Sequence, residues 1–170
     1  LEGITIPKNS DRKSTIGASA RTVSLGLVHR LCTKYHGYSR FTERHPKLWK
    51  LLCDYGKHLG CDFTTVTVNE DVQCLPHRDR KNVGLTTIVG LGDYTGGELY
   101  VKSADGKRVS KVCVKGKPYK FNAYMSDHWT APFTGKRYTL MFYRKRKSSK
   151  LKLKHRKEDL PIINEVYYGN

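Results

Sequence analysis

Acidic residues are scarce in this 170-residue chain, with 15 Asp and Glu against 32 Lys and Arg and a formal net charge of +17. That imbalance asks for a polyanionic partner, most often nucleic acid, although basic surfaces also serve solubility or membranes. No run of about 18 apolar residues is present, so no membrane-spanning helix is expected. The five cysteines are odd in number and none forms a CxxC pair, which argues against a zinc finger and against a secreted disulfide scaffold. A reducing, intracellular setting with cysteines as small core residues is the expectation. There is no internal repeat, no signal-peptide pattern and no initiator Met, so Leu1 is read as following a cut or a boundary.

The length fits one domain with a core that needs no staple. Residues 1–20 are polar and read as an extended arm. Residues 21–32 mix β-branched and apolar positions, and strand or short helix both fit. A helix is expected over 45–59. Pro46 suits its first turn, the stripe Leu48, Leu51, Leu52, Tyr55 and Leu59 supplies the period, and Gly60 stops it. Six strands are expected after it, over 63–69, 84–89, 98–102, 108–114, 119–123 and 137–143. The joints LGDYTGG, SADGK, KGKP and FTGK read as turns. The fold class is therefore mainly β with a flanking helix (α+β): a double-stranded β-helix of the jelly-roll or cupin type, backed by an N-terminal helical segment. The domain is placed at 21–143, between the 1–20 arm and a basic tail over 144–170. Within that tail, RKRKSSKLKLKHRK carries nine Lys or Arg and no acid. It is a solvated segment, a phosphate-binding arm or a nuclear targeting signal.

The chemistry concentrates in two places. His77 and Asp79 lie two residues apart in LPHRDR, and in extended backbone such positions share a face. An imidazole and a carboxylate on one face can hold one metal. His128, in SDHWTAPF, supplies a third ligand, and two His with one carboxylate form the facial triad of non-haem iron(II) oxygenases. The remaining histidines, His29, His36, His45, His58 and His155, lie outside the β region and read as ordinary. Arg137 follows His128 in GKRYTLMFY, with PFTGK read as a turn that sets the two on neighbouring strands. Arg137 and Thr139 share a face, and a guanidinium beside a hydroxyl can hold a carboxylate. Arg137 also sits within an apolar strand, where an unpaired charge is costly.

HRDRKNVGLTTIVGLGDYTGGELYV and HWTAPFTGKRYTLMFY together resemble the TET/JBP branch of the Fe(II)/2-oxoglutarate dioxygenases, most strongly from Asn69 to Tyr143. The resemblance is thinner from Arg12 to Gly60. It implies His77, Asp79 and His128 as iron ligands, and Arg137 with Thr139 as holders of the distal carboxylate of 2-oxoglutarate. Asn82 matches a position at the mouth of the site, counted with the cofactor-binding residues. It further implies an enzyme that uses O2 to oxidise the methyl group of a 5-methylpyrimidine in DNA, 5-methylcytosine ahead of thymine. The resemblance, which extends to algal relatives that use ascorbate, also leaves ascorbate open as the co-substrate. A base in a duplex must flip to reach such a site, and Trp129, Tyr94 and Tyr124 are candidates for the wall it stacks on. No obligate protein partner and no membrane are inferred. Two other classes stay open: an oxygenase of the same fold hydroxylating prolyl or lysyl residues of protein, and a non-catalytic nucleic-acid-binding domain. The intact ligand set argues against the last, and the net charge against the first.

Overall fold

The computed structural model describes residues 3–8, 15–16, 20–29, 35–146 and 152–153. Its organising feature is a strand whose two faces differ. In β4 (Thr65–Glu70) Val66 and Val68 point one way, while Thr65, Thr67 and Asn69 point the other. The same alternation runs through β2 (Arg21–His29), with Val23 and Leu25 against Thr22 and Ser24. In β13 (Tyr138–Lys145) Leu140 and Phe142 oppose Thr139, Met141 and Tyr143. A period of two in side-chain direction gives each strand an apolar face and a polar or mixed one.

These strands lie in a seven-stranded sheet ordered β10 (Tyr119–Phe121), β6 (Asn82–Leu91), β13, β4, β2, β3 (Tyr35–Tyr38) and β14 (Lys152–Leu153). All of its pairings are antiparallel except β3 with β14. The apolar face is covered by α2 (Pro46–His58), which follows the short α1 (Arg40–Arg44). Leu48, Trp49, Leu52 and Cys53 of α2 pack with Leu25, Val66, Val68, Val89, Leu140 and Phe142. Ile6 joins that cluster, so part of the N-terminal arm is core. Trp49 rests where β2 carries Gly26 at φ +88°; a Cβ there would stand 2.4 Å from the Thr64 carbonyl oxygen and 2.7 Å from the indole. The position tolerates only glycine.

The opposite face turns toward smaller sheets. One comprises β11 (His128–Thr130), β8 (Leu99–Lys102) and β9 (Val109–Val112). A second pairs β7 (Tyr94–Gly96) with β12 (Phe133–Gly135), and β1 (Thr15–Ile16) pairs with β5 (Gln73–Cys74). Ile88, Leu99, Val101, Val114, Phe121 and Ala123 form a second core on this side. The architecture is the expected jelly roll with a helix behind it. Over Arg21–His29 the strand reading prevails, residues 30–32 lie outside the described residues, and the helix occupies 46–58.

Two expectations are corrected. LGDYTGG and FTGK are more than turns, because β7 and β12 lie within them and form a ladder with each other, Phe133 opposite Gly96 and Gly135 opposite Tyr94. As a result His128 and Arg137 are not on neighbouring strands. β11 and β13 belong to different sheets, and the intervening β12 carries the chain from one to the other. The two residues face a shared cavity between the sheets. Among the described residues, no helix is long and apolar enough to cross a membrane.

Candidate metal centre

His77 and Asp79 sit on the connection between β5 and β6, and His128 opens β11. Backbone pairing locks them together. His77 N–H donates to the His128 carbonyl at 3.1 Å, and His128 N–H returns a bond to the His77 carbonyl at 3.0 Å. Asp79 N–H donates to the Ala123 carbonyl at 2.9 Å. One donor atom from each of the three side chains falls within 4.8 Å of the others, the one such group of metal-ligating residues among the described residues.

The ring chemistry of this cluster suits a metal. Nδ1 of His77 faces the Leu75 carbonyl at 2.7 Å, and Nδ1 of His128 faces the Ser126 carbonyl at 3.0 Å. A carbonyl only accepts, so both Nδ1 atoms carry the proton and both Nε2 atoms present lone pairs. Those lone pairs converge on Asp79, with His77 Nε2 3.8 Å from Oδ1 and His128 Nε2 3.8 Å from Oδ2. These gaps are too long for hydrogen bonds. His128 Nε2 is buried without a partner, a state that a cation would relieve. Burial also lowers the pKa of His128, which favours the neutral, ligating form. The residues present therefore fit a divalent ion.

Two further contacts hold the cluster. Asn82 Nδ2 donates to Asp79 Oδ2 and to Thr86 Oγ1, each at 3.3 Å, so it orients the carboxylate from behind. Arg78 grips Asp127 through two bonds of 2.8 and 3.0 Å, tying the segment between His77 and Asp79 to the residue before His128. Both ends of that pair are partly solvated, so it registers the loop more than it stabilises the fold.

Arg137 enters the same cavity immediately before β13 and is 2% exposed. Its Nη1 donates to the Val72 carbonyl at 3.3 Å and Nη2 to the Gly97 carbonyl at 3.0 Å. Among the described residues, Nε and the buried Tyr94 hydroxyl form no well-aligned hydrogen bond, although the phenol lies close enough to the guanidinium to interact with it. The guanidinium lies over the Tyr94 ring at 5.4 Å and the Phe133 ring at 5.3 Å. Among the described residues no carboxylate forms an ion pair with it. The nearby acids are otherwise engaged: Lys136 binds Glu70 and, at 2.9 Å, Asp71. Asp71 also accepts from Arg137 N–H at 2.9 Å and donates its own N–H to the Arg137 carbonyl at 2.8 Å. That clamp holds Asp71 at φ 51°, the sole positive φ outside glycine among the described residues. Burial pulls the Arg137 pKa below its ordinary value, although a guanidinium stays charged at neutral pH. Gly97 makes the approach feasible, since a Cβ there would come within 2.7 Å of Arg137 Nε.

Thr139 lines the same cavity beside Arg137. Asn69 Nδ2 donates to its Oγ1 at 3.1 Å, and Asn69 Oδ1 accepts from Thr22 Oγ1 at 2.7 Å. Asn69 and Tyr143 both line the cavity, and neither is among the residues expected to form the site. Their parity gives them away: Asn69 continues the hydroxyl face of Thr65 and Thr67, and Tyr143 shares the face of Arg137 and Thr139. Of the expected aromatic walls, Trp129 lines the cavity and stacks on Tyr100 at 5.3 Å. Tyr94 is buried beneath Arg137, and Tyr124 is exposed and does not line the cavity. Arg21 spends its guanidinium on the Ile6 carbonyl at 2.8 Å.

No protein-family profile matches the sequence, and no curated protein matches it. Solved structures do match by shape. NgTET1 in complex with 5mC DNA aligns with a TM-score of 0.54 at 15% identity, covering 78% of this chain and 63% of that one. An oxidoreductase of the 2OG-Fe(II) oxygenase family from Burkholderia pseudomallei aligns with a TM-score of 0.52 at 14% identity, covering 73% and 67%. A Pseudomonas putida prolyl-4-hydroxylase overlaps with a TM-score of 0.42 at 13% identity, covering 75% and 72%. The chain thus spans less than two thirds of the NgTET1 chain it matches. What it shares with NgTET1 and the Burkholderia pseudomallei oxidoreductase is the fold: a jelly roll of the kind found in 2OG-Fe(II) oxygenases.

Proposed function

We propose that this chain is an Fe(II)/2-oxoglutarate-dependent dioxygenase that oxidises the methyl group of a 5-methylpyrimidine in DNA, with 5-methylcytosine the favoured base. The observation that carries the proposal is the cavity itself. It brings together three side chains able to ligate a metal and, within the same walls, a buried guanidinium that has no carboxylate partner among the described residues. A metal site alone fits many chemistries. A metal site facing an arginine that needs a carboxylate fits a metal-bound 2-oxoacid with a distal carboxylate.

His77, Asp79 and His128 would hold the iron, each offering one ligand atom to it. Arg137 takes the distal carboxylate in place of the partner it lacks, and Thr139 contributes its hydroxyl beside it. Asn82, through its bond to Asp79 Oδ2, would keep the carboxylate aimed at the metal. Iron(II) with a 2-oxoacid supplies hydroxylation of an unactivated C–H bond, coupled to release of CO2 and succinate. Trp129, on the cavity wall, screens the site from water. The DNA substrate is supported by the net charge of +17 and by the fold shared with a protein solved on 5mC DNA.

The test is anaerobic reconstitution with Fe(II), followed by O2 and 2-oxoglutarate, on 5-methylcytosine DNA, thymine-only DNA and no DNA. Succinate and modified nucleosides are read by mass spectrometry. Succinate coupled to a hydroxymethyl base is the expected result. Succinate without a modified base moves the substrate to protein or RNA, and no succinate at all removes 2-oxoglutarate from the reaction.

A further inference from the structure

The inner cavity that contains the metal ligands measures about 80 Å³, whereas ligand pockets commonly exceed ~300 Å³. The body of a nucleotide therefore has to lie outside it. A second cavity, about 360 Å³, opens beside the first. The two share Asp79, Asn82 and Tyr143 as walls, so they are contiguous. The outer cavity is lined further by Arg78, Arg80, Lys81 and Lys145. Asp79 is its one carboxylate, and that group belongs to the metal triad. Arg78 is neutralised by Asp127. Arg80 and Lys81 form no ion pair with any described residue and are exposed.

Pairing of the strands explains why these cations gather. Asn82 lies opposite Lys145 and Val83 opposite Arg144, where β6 bulges around Gly84 at φ +71°. Arg146 N–H donates to the Lys81 carbonyl at 2.8 Å, which continues the ladder beyond both strands. Arg146 then places its guanidinium 5.7 Å from the centroid of the Tyr124 ring. Tyr124 is 39% exposed, close to Asp79 through the bond from Asp79 N–H to the neighbouring Ala123 carbonyl.

We propose that this outer cavity seats the phosphodiester backbone next to the reacting nucleotide, with Arg80, Lys81 and Lys145 on the phosphate oxygens and the Tyr124–Arg146 pair as the plate on which an unpaired base stacks. The inference rests on the nucleic-acid reading above and gives it a location. A basic groove beside an exposed aromatic is the combination that binds nucleic-acid strands, because the charge follows the backbone and the ring accepts any base. An acidic peptide satisfies the charges and leaves the aromatic plate without a task.

The experiment compares two double variants that remove the same charge from different places. Arg80→Glu with Lys81→Glu alters the cavity. Lys107→Glu with Arg108→Glu alters the exposed connection between β8 and β9. Each holoprotein, reconstituted with Fe(II) under anaerobic conditions, is titrated into a fluorescein-labelled DNA duplex bearing one mismatched 5-methylcytosine, and anisotropy is followed across a salt series. The cavity variant is expected to bind roughly ten- to a hundredfold more weakly, with the log–log salt slope reduced by about two; the control changes by less than about threefold. Equal weakening in both variants overturns the proposal, since binding is then a matter of total charge. Photocrosslinking of the unaltered protein to a duplex with a halogenated pyrimidine at the same position is independent of how any variant folds. A crosslink at Tyr124 supports the plate, and crosslinks confined to other surfaces overturn it. A poly-glutamate peptide that displaces the duplex from the cavity at equal charge concentration assigns the site to acidic protein and overturns the nucleic-acid assignment. If the binding pattern holds while no base is oxidised, the phosphate seat stands and the proposed reaction falls. If bases are oxidised while the cavity variant binds normally, the reverse is true.

Discussion

Replacing Arg137 with Met separates what the residue does for the fold from what it does for the co-substrate. The side chain is 2% exposed, donates to two backbone carbonyls, and has no carboxylate partner among the described residues. A buried charge costs several kcal/mol in desolvation, a cost that its replacement by an apolar side chain removes. Loss of the two bonds to carbonyls offsets this by about 1 kcal/mol each. Met keeps the length of the stem and its packing between Tyr94 and Phe133, which lie 5.4 and 5.3 Å from the guanidinium carbon. The protein without co-substrate is therefore expected to melt at the same temperature or slightly higher. The affinity for 2-oxoglutarate is expected to fall. A charged hydrogen bond contributes about 1.5–3 kcal/mol, which corresponds to roughly 10- to 150-fold in Kd. Thermal unfolding measured with and without 2-oxoglutarate, alongside isothermal titration of the Co(II)-substituted protein, reads both quantities. A variant that loses about 3–5 kcal/mol of stability would falsify the idea of an unmet charge, because that is the signature of breaking a buried pair. An unchanged 2-oxoglutarate affinity in a folded variant would move the carboxylate elsewhere.

Three further predictions follow from the site and its surroundings. His77→Ala and Asp79→Ala should each abolish stoichiometric Fe(II) or Co(II) binding while circular dichroism stays unchanged; full metal binding by either variant removes that residue from the ligand set. Asn82→Ala should weaken metal binding by about 10- to 100-fold, the usual effect of losing a hydrogen bond that orients a ligating carboxylate, and equal affinity for the two proteins would make Asn82 a packing residue. Burial pushes the Cys53 thiol up to about 12, above the ~8.5 of an unfolded chain. The folded state then holds the proton more tightly, so this contribution to stability is complete below about pH 8.5 and is lost as pH rises toward 12. Thiol labelling at pH 8.5 should modify the exposed Cys113 and spare Cys53 until the protein unfolds, and rapid labelling of Cys53 in the native protein would contradict its burial.

Much of the architecture was legible because it is written in local periods. The helix at 46–58 follows from Pro46 and the stripe through Leu48 and Leu52, and the alternation of TVTVN predicts both faces of β4. The β7–β12 ladder was not legible. Its strands are three residues each and are built from glycine-rich segments that satisfy the rules for turns equally well. The clamp of Arg78 on Asp127 joins residues 49 positions apart, and no local pattern announces such a pair. Asn69 and Tyr143 fall between these cases, since parity places them on the correct face but says nothing of the cavity they share.

The sequence by itself determined the residue types, their order and their faces: HxD with both groups on one side, a later His, and RxT within an apolar strand. Those features are consequences of strand geometry, in which every second side chain points the same way. Only the tertiary structure decided that His77 and His128 are held together by reciprocal backbone bonds, that Arg137 is buried with no carboxylate partner among the described residues, and that a basic cavity shares a wall with the candidate metal site. These depend on which sheet each strand joins and on the register between distant strands. Register is set by the packing of the whole apolar face, because a slip of one residue would turn every buried side chain outward.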